Sequence, residues 1–444
     1  MLDLAEMHWL TSFSLIVIVL MTLFIVGVPI GFAMGLTGVL ALLFSGGRGM
    51  EHVVNNIPTV FYGKTINYLF VIFPLFILMT EFMAYGGLSK KLVSIAYIVM
   101  GRIPGSLAVV TVTAATLFGA ICGSAGIAAM AISDMLVPEC MERKYDKALI
   151  SGAIAASSNL STIIPPSFVF ILWGIIAEIS IEELFFAGII PGLIIASMFI
   201  IYIMIRAKRN PALAPLPPQT TVKEKLKAAS TGWDVALIIL IILGGVYLKI
   251  ATITDIAAVA ALVTLIIVLA RRSLPLSGFL GALRRTAAMT SFFIILLMGA
   301  YFLIHALGVL QIPREISEWI ISHDFTALQL IIVIQIMFFI LGMFIDPGSV
   351  ILVSLPVFLK SLNALDVDLY WFGVVIAISC MIANLTPPVG VNLFIVQGVG
   401  RPYGITFEHV VRGTIPFILL MIVGMALVLA FPELATWLPG LIKD

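Results

Sequence analysis

Apolar runs at or near membrane-span length recur along the whole chain: Leu10 to Phe44, Leu69 to Met83, Ile150 to Ile176, Ile189 to Ile205 and finally Ile415 to Phe431. A helix crosses the hydrocarbon layer with about 20 mostly apolar residues. A water-soluble core cannot absorb so many such runs, because 61% of the 444 residues are hydrophobic and 11% are charged, with a mean hydropathy of +1.19. The chain is therefore expected to be an all-α polytopic membrane protein with about 10 to 12 transmembrane helices and no room for a soluble domain. The lipid bilayer is its first partner, and a net charge of +1 argues against nucleic acid. The first run is followed by no Ala-x-Ala-like cleavage site and is taken as an anchor.

The basic residues place the loops. Lys90, Lys91 and Arg102 form one group, Arg143, Lys144 and Lys147 a second, Arg206 to Lys227 a third, and Arg271, Arg272, Arg284 and Arg285 a fourth. Cytoplasmic loops carry the excess of Lys and Arg, so all four groups are expected on that side. The apolar stretch of about 103–140 then starts and ends on one side, with Gly119, Gly123, Ser124 and Gly126 at its middle. A re-entrant hairpin with its tip at CGSAG satisfies both facts, since irregular backbone at membrane depth is tolerated against protein or a wet cavity. Two complete short spans with an outside turn are the alternative. The Pro-rich polar stretch near 211–232 reads as a cytoplasmic linker between residues 1–210 and 233–444.

The two halves repeat one another in order. Gly123 and Ser124 precede the proline pair at Pro165 by 42 residues, and Gly348 and Ser349 precede the pair at Pro387 by 39. GIIP, ending at Pro191, and GTIP, ending at Pro416, follow at 26 and 29 residues. With five spans and one hairpin per half, the second half is inserted upside down, and its hairpin, about 325–360, enters from outside with its tip at DPGS. Inverted repeats with paired broken helices mark secondary transporters, whose substrate and ion sites lie where the repeats meet. Before the third span of each half, EHVVNNIPTVFYGK and LSGFLGALRRTAAM suit interfacial amphipathic helices.

Proline lacks an amide hydrogen and clashes with the carbonyl four residues earlier. Pro165 and Pro166 are expected to strand the carbonyls of Ser161 and Thr162, and Pro387 and Pro388 those of Ala383 and Asn384. Such carbonyls are costly in hydrocarbon unless a cation or hydroxyl meets them. Two oxygen-rich sets suited to sodium follow. The first is Gly123, Ser124, Ser161, Thr162, Pro165 and Ser167; the second is Asp346, Gly348, Ser349, Ala383, Asn384, Thr386 and Gly390. Half-helices beginning after each break point positive dipole ends at the cavity and favour an anion, for which Ser158, Asn159 and Asn392 are candidate contacts. Glu81, inside FILMTEFM, fits either a coupling residue or a buried acid bonded to a neighbouring helix. Asp134 and Glu139 are expected to be solvated, and Trp319, Tyr370, Trp371 and Trp437 to anchor span ends. Cys122, Cys140 and Cys380 lack metal-ligand spacing, and no organic cofactor is expected.

FGAICGSAGIAAM, SSNLSTIIPPS, AGIIPGL, LGMFIDP and LTPPVGVNLF, in that order and with VGVPIGFAMGLTG near the start, resemble the large membrane subunit of tripartite ATP-independent periplasmic (TRAP) transporters over essentially the whole chain. The resemblance implies an ion-transporter fold in which hairpins and broken helices move like an elevator against a scaffold. It also implies a bacterial or archaeal inner membrane location and coupling to two or more sodium ions. Two partners are implied, a small membrane subunit and a periplasmic substrate-binding protein, with a carboxylate such as a C4-dicarboxylate or sialic acid as substrate. The family's ion-binding regions fall on Gly123, Ser124, Pro165, Ser167, Asp346, Thr386, Pro387, Gly390 and Asn392. One departure is at the first tip, where Ala125 replaces the family's second serine and Ala128 lies near its usual threonine.

Other functions leave different marks. A self-sufficient sodium or proton symporter of the same superfamily would need no partner chain. An intramembrane enzyme is not expected, because no HExxH, GxSxG or paired aspartate motif occurs. A channel would conduct without a steep sodium dependence.

Overall fold

A computed structural model describes residues 4, 7–45, 50–51, 53–55, 58, 68–101, 103–215, 221–387 and 390–443. Among these the chain is helical throughout. The first half contains α1 (Trp9–Ile25), α2 (Ile30–Leu43), α3 (Ile72–Tyr85), α4 (Leu88–Met100), α5 (Ser106–Cys122), α6 (Ala125–Glu142), α7 (Lys147–Ser158), α8 (Phe168–Ala177) and α9 (Ile181–Arg209). The second contains α10 (Val222–Thr231), α11 (Trp233–Tyr247), α12 (Ile253–Ala270), α13 (Leu276–Val309), α14 (Ile312–Ser322), α15 (Ala327–Gly342), α16 (Pro347–Ala364), α17 (Leu369–Ala383), α18 (Val391–Gly400), α19 (Phe407–Ala430) and α20 (Glu433–Lys443).

Five described helices are long and apolar enough to cross a bilayer alone, or seven if α3 with α4 (bent by 68°) and α10 with α11 (bent by 55°) count as single spans. Fewer helices pass than the ten to twelve expected, for a physical reason. The crossings made by α7 with α8 and by α17 with α18 are each cut in two, and α1 and α2 have only 17 and 14 residues. Pairs of helices thus do the work of single ones. The order hairpin, broken helix, long helix occurs as α5–α9 and again as α15–α19.

Hydrogen bonds show how the halves are oriented. At one face Lys147, at the start of α7, donates to the Gly404 carbonyl beyond α18 at 3.0 Å. At the opposite face the Trp173 indole of α8 donates to the Leu369 carbonyl at 3.0 Å, and the Ser180 amide to the Tyr370 hydroxyl at 3.4 Å. The broken helices therefore run antiparallel. Packing is reciprocal as well: α2 lies on α13 and α12 on α3, while α6 lies on α18 and α16 on α8. Close approach needs glycine. A Cβ on Gly299 would stand 1.9 Å from the Gly31 carbonyl oxygen, and one on Gly152 would stand 2.1 Å from the Gly413 carbonyl carbon. Without a hydrophobic drive between helices in lipid, this intimate contact is a main source of association.

One expectation is corrected. LSGFLGALRRTAAM is not a separate interfacial helix but the start of the unbroken 34-residue α13. Pro275 sits at the N-cap, where its missing amide costs nothing, and no proline follows to interrupt the helix. At 1.5 Å per residue α13 is about 50 Å long, well beyond a hydrocarbon layer of about 30 Å. Most of the corresponding EHVVNNIPTVFYGK lies outside the described residues, as does the 216–220 part of the linker. The rest of the linker includes α10, capped by Thr221 and Glu224 and packed on α4.

Candidate functional site

Both hairpin tips and both helix breaks open onto one cavity of about 260 Å³. Gly123, Ser124 and Thr162 reach it from the first half, and Asp346, Gly348, Asn384 and Asn392 from the second. The remaining candidates stand behind this wall. Ser158, Asn159, Ser161, Ser167 and Ser349 are fully buried, and neither they nor Pro165, Ala383, Thr386 and Gly390 line the cavity.

The first tip is held by backbone. Gly123 adopts φ +62°, and a Cβ there would lie 2.5 Å from the Pro166 carbonyl oxygen, so only glycine fits. Its own carbonyl accepts from the Phe168 amide at 3.4 Å, which fastens the tip to the start of α8. At the second tip Asp346 caps α16, with one carboxylate oxygen accepting from the Ser349 amide at 3.1 Å and the other from its hydroxyl at 2.5 Å. Each tip also leans on the other half. A Cβ on Gly126 would meet Ile395 of α18 at 3.3 Å, and one on Gly348 would meet Leu172 and Phe168 of α8 at 2.9 and 3.2 Å.

Two asparagine bonds join the breaks. Asn159 donates to the Ala155 carbonyl at 2.9 Å, leaving its Oδ1 to accept from Asn384 Nδ2 at 2.8 Å. Asn392 Nδ2 donates to Ser158 Oγ at 3.2 Å, while that hydroxyl donates to the Ala155 carbonyl at 2.9 Å. Among the described residues Asn392 Oδ1 is left buried without a hydrogen-bond partner.

The stranded carbonyls are only partly as expected. Thr162 O accepts a short hydrogen bond from the Ser167 hydroxyl, and Ala383 O accepts the Thr386 amide at 3.0 Å. The chain bends back far enough to use these oxygens itself, each keeping a second lone pair. Thr386 Oγ1 donates to Ile382 O at 2.8 Å. Pro388 lies outside the described residues. Of the two departures at the first tip, Ala125 lines the cavity, so the missing hydroxyl is missing from the site; Ala128 is packed in the core.

The apolar wall had no counterpart among the motifs. Phe73 and Phe76 of α3, Phe168 of α8, and Met289, Phe292 and Phe293 of α13 face the cavity. Phe168 lies 4.0 Å from Phe293 and 5.0 Å from Phe73 between ring centroids. A phenylalanine in an apolar run carries no signal of its own; only the antiparallel packing of α3 on α13 brings these together. Glu81 lies below them on α3, buried, with Arg285 of α13 at 3.9 Å. Asp134 is exposed as expected, whereas Glu139, paired with Arg143 at 2.6 Å, is half-buried.

The family model described as "Tripartite ATP-independent periplasmic transporter, DctM component" matches residues 17–434. The chain is 30% identical over 413 residues to a C4-dicarboxylate TRAP transporter large permease protein, DctM, of Pseudomonas aeruginosa, covering 92% of this chain and 94% of the relative. It is 33% identical to an ectoine/5-hydroxyectoine TRAP transporter large permease protein, UehC, of Ruegeria pomeroyi, covering 83% and 85%. Among solved structures, the YdaH transporter of Alcanivorax borkumensis shares the fold, with a TM-score of 0.63 at 13% identity over 88% of this chain and 89% of that one.

Proposed function

Because this chain belongs to the DctM family of TRAP transporters, as a multi-pass inner-membrane large permease rather than an enzyme, we propose that it carries a small carboxylate inward, driven by sodium, through an elevator motion. The observation that carries this reading is the single cavity shared by two tips and two breaks from opposite halves. Oxygens crowd each break: Ser124 and Thr162 on one side, Asn384 on the other, with the backbone carbonyls beside them. Oxygen ligands suit a small hard cation. Among the described residues the N-termini of α6 and α18 have no side-chain cap, which leaves first-turn amides available to an anion, although the Leu393 amide already donates to the Gly390 carbonyl at 2.8 Å.

A cavity of about 260 Å³ has room for a small organic acid. The inverted repeat supports alternating access, since two oppositely oriented copies can exchange roles about a shared site. The half-helices, hairpins, α9 and α19 form the moving unit, and α1 to α3 with α11 to α13 the scaffold. As a TRAP permease the chain works with other components of its system; a small membrane subunit beside the scaffold and a periplasmic binding protein at the outer face are the partners proposed.

The test is reconstitution. Proteoliposomes holding the chain with its small subunit, supplied with the binding protein, should accumulate carboxylate under an inward sodium gradient and stop when sodium is replaced by potassium. Uptake by the chain alone would point to a self-sufficient symporter, and sodium-independent current to a channel.

A further inference from the structure

Two helices turn apolar stripes to the cavity at helical spacing, Phe73, Phe76 and Ile77 from α3 and Met289, Phe292 and Phe293 from α13. Phe168, at the start of α8, completes a corner of rings. Its centroid lies 4.0 Å from that of Phe293 and 5.0 Å from that of Phe73, while Phe73 and Phe293 stand 6.0 Å apart. Rings attract one another at about these separations, edge to face or offset, so a further ring entering the cavity finds partners. The corner adjoins the first hairpin tip, because the Phe168 amide donates to the Gly123 carbonyl at 3.4 Å. Two residues beyond Gly123 the wall is the methyl group of Ala125, in the first turn of α6. A serine here would set a hydroxyl into the wall; alanine keeps this stretch apolar.

Side-chain donors on the wall are few and mostly in use. Thr80 and Thr162 give their hydroxyl hydrogens to Phe76 O at 2.9 Å and Asn159 O at 2.7 Å, and Asn384 and Asn392 each give one amide hydrogen to the opposite half. No lysine or arginine lines the cavity among the described residues. What remains among the side chains is the Ser124 hydroxyl and the second amide hydrogen of each asparagine, enough for one acid group. The rest of the wall offers an ionised or hydroxyl-rich group nothing in return for its lost hydration, whereas a hydrocarbon body gains by leaving water. We propose that the substrate is an aromatic monocarboxylate, with its acid group at the tip and breaks and its ring seated among Phe73, Phe168 and Phe293 beside Ala125. This rests on the reading of the cavity as the carboxylate site. Asp346 stays with the proposed sodium ligands, its two oxygens already accepting from Ser349.

The experiment is calorimetric titration of the purified full-length chain in lipid nanodiscs at saturating sodium, with thermal unfolding confirming that each variant is folded. The probes are phenylacetate, one acid on a ring, and succinate, two acids on a short chain. Phenylacetate should bind at least tenfold more tightly than succinate. Phe168→Leu and Phe293→Leu keep an apolar side chain while removing the ring, and each should weaken phenylacetate severalfold without weakening succinate. Ala125→Ser should weaken phenylacetate and narrow its lead over succinate. Succinate binding as tight as phenylacetate, or phenylacetate affinity indifferent to both leucine variants, would overturn the aromatic body while leaving carboxylate transport intact. Binding of neither probe, with sodium still stabilising the protein, would overturn the cavity as a carboxylate site and the aromatic substrate with it.

Discussion

Ser167 shows how much one side chain at a break can hold. Its hydroxyl donates to Thr162 O, and its oxygen accepts from the Phe170 amide at 3.3 Å, so it joins the broken end of one half-helix to the start of the next. Ser167→Ala removes both, and the loss of the cap alone is worth about 1 kcal/mol. Thermal unfolding in detergent should show that loss, whereas Ser167→Thr should retain most of the stability. The residues of the site differ in how visible they were in sequence. Gly123, Ser124, Asp346 and Asn384 stood out because glycine, acid and amide are out of place in an apolar run. Phe168 and Phe293 did not, since nothing distinguishes a phenylalanine that lines a cavity from one that faces lipid. Thr386 stood out equally, yet its hydroxyl turns back to Ile382 O and not to the cavity.

At the scale of elements, breaks and hairpins were legible because proline and glycine act locally, through a missing amide or a positive φ. The reach of α13 was not, because whether LSGFLGALRRTAAM stops or continues depends on what receives it. Arg285 stacks on Tyr85 and Phe279 stacks on Phe82, ring centroids 5.8 Å apart, so α3 receives the early turns of α13. Another joint was missed for a similar reason. Asp234, at the start of α11, looks like an ordinary helix-start acid but is fully buried between Lys91 of α4, at 3.0 Å, and Arg271 after α12, at 2.6 Å. It ties three elements together. Removing the acid leaves two cations without a partner, although both are partly exposed and can turn to water or headgroups. Asp234→Ala should therefore cost on the order of 2 kcal/mol, below the range for fully buried pairs. Fluorescence-detected size exclusion after graded heating should place Asp234→Asn between wild type and Asp234→Ala.

In the molecule as a whole, the two halves build one site in common. The order of motifs along the chain revealed the duplication; it did not reveal that Asn159 would bond Asn384 and Ser158 would bond Asn392 across it. Those bonds exist because antiparallel broken helices bring their breaks to one depth, which is a property of assembly and not of either segment. The proposed coupling between sodium and substrate then has a physical basis, since both would occupy space walled by the same two halves, and such coupling is typically worth 5- to 150-fold in affinity. The sodium dependence of carboxylate uptake tests this most directly, comparing the reconstituted wild-type system with Ser124→Ala from the first half and Asn384→Ala from the second. A shared site predicts that each substitution raises the sodium concentration for half-maximal uptake about tenfold, a shift that lower stability alone does not produce. An unchanged sodium dependence for either one, with uptake intact, would contradict it.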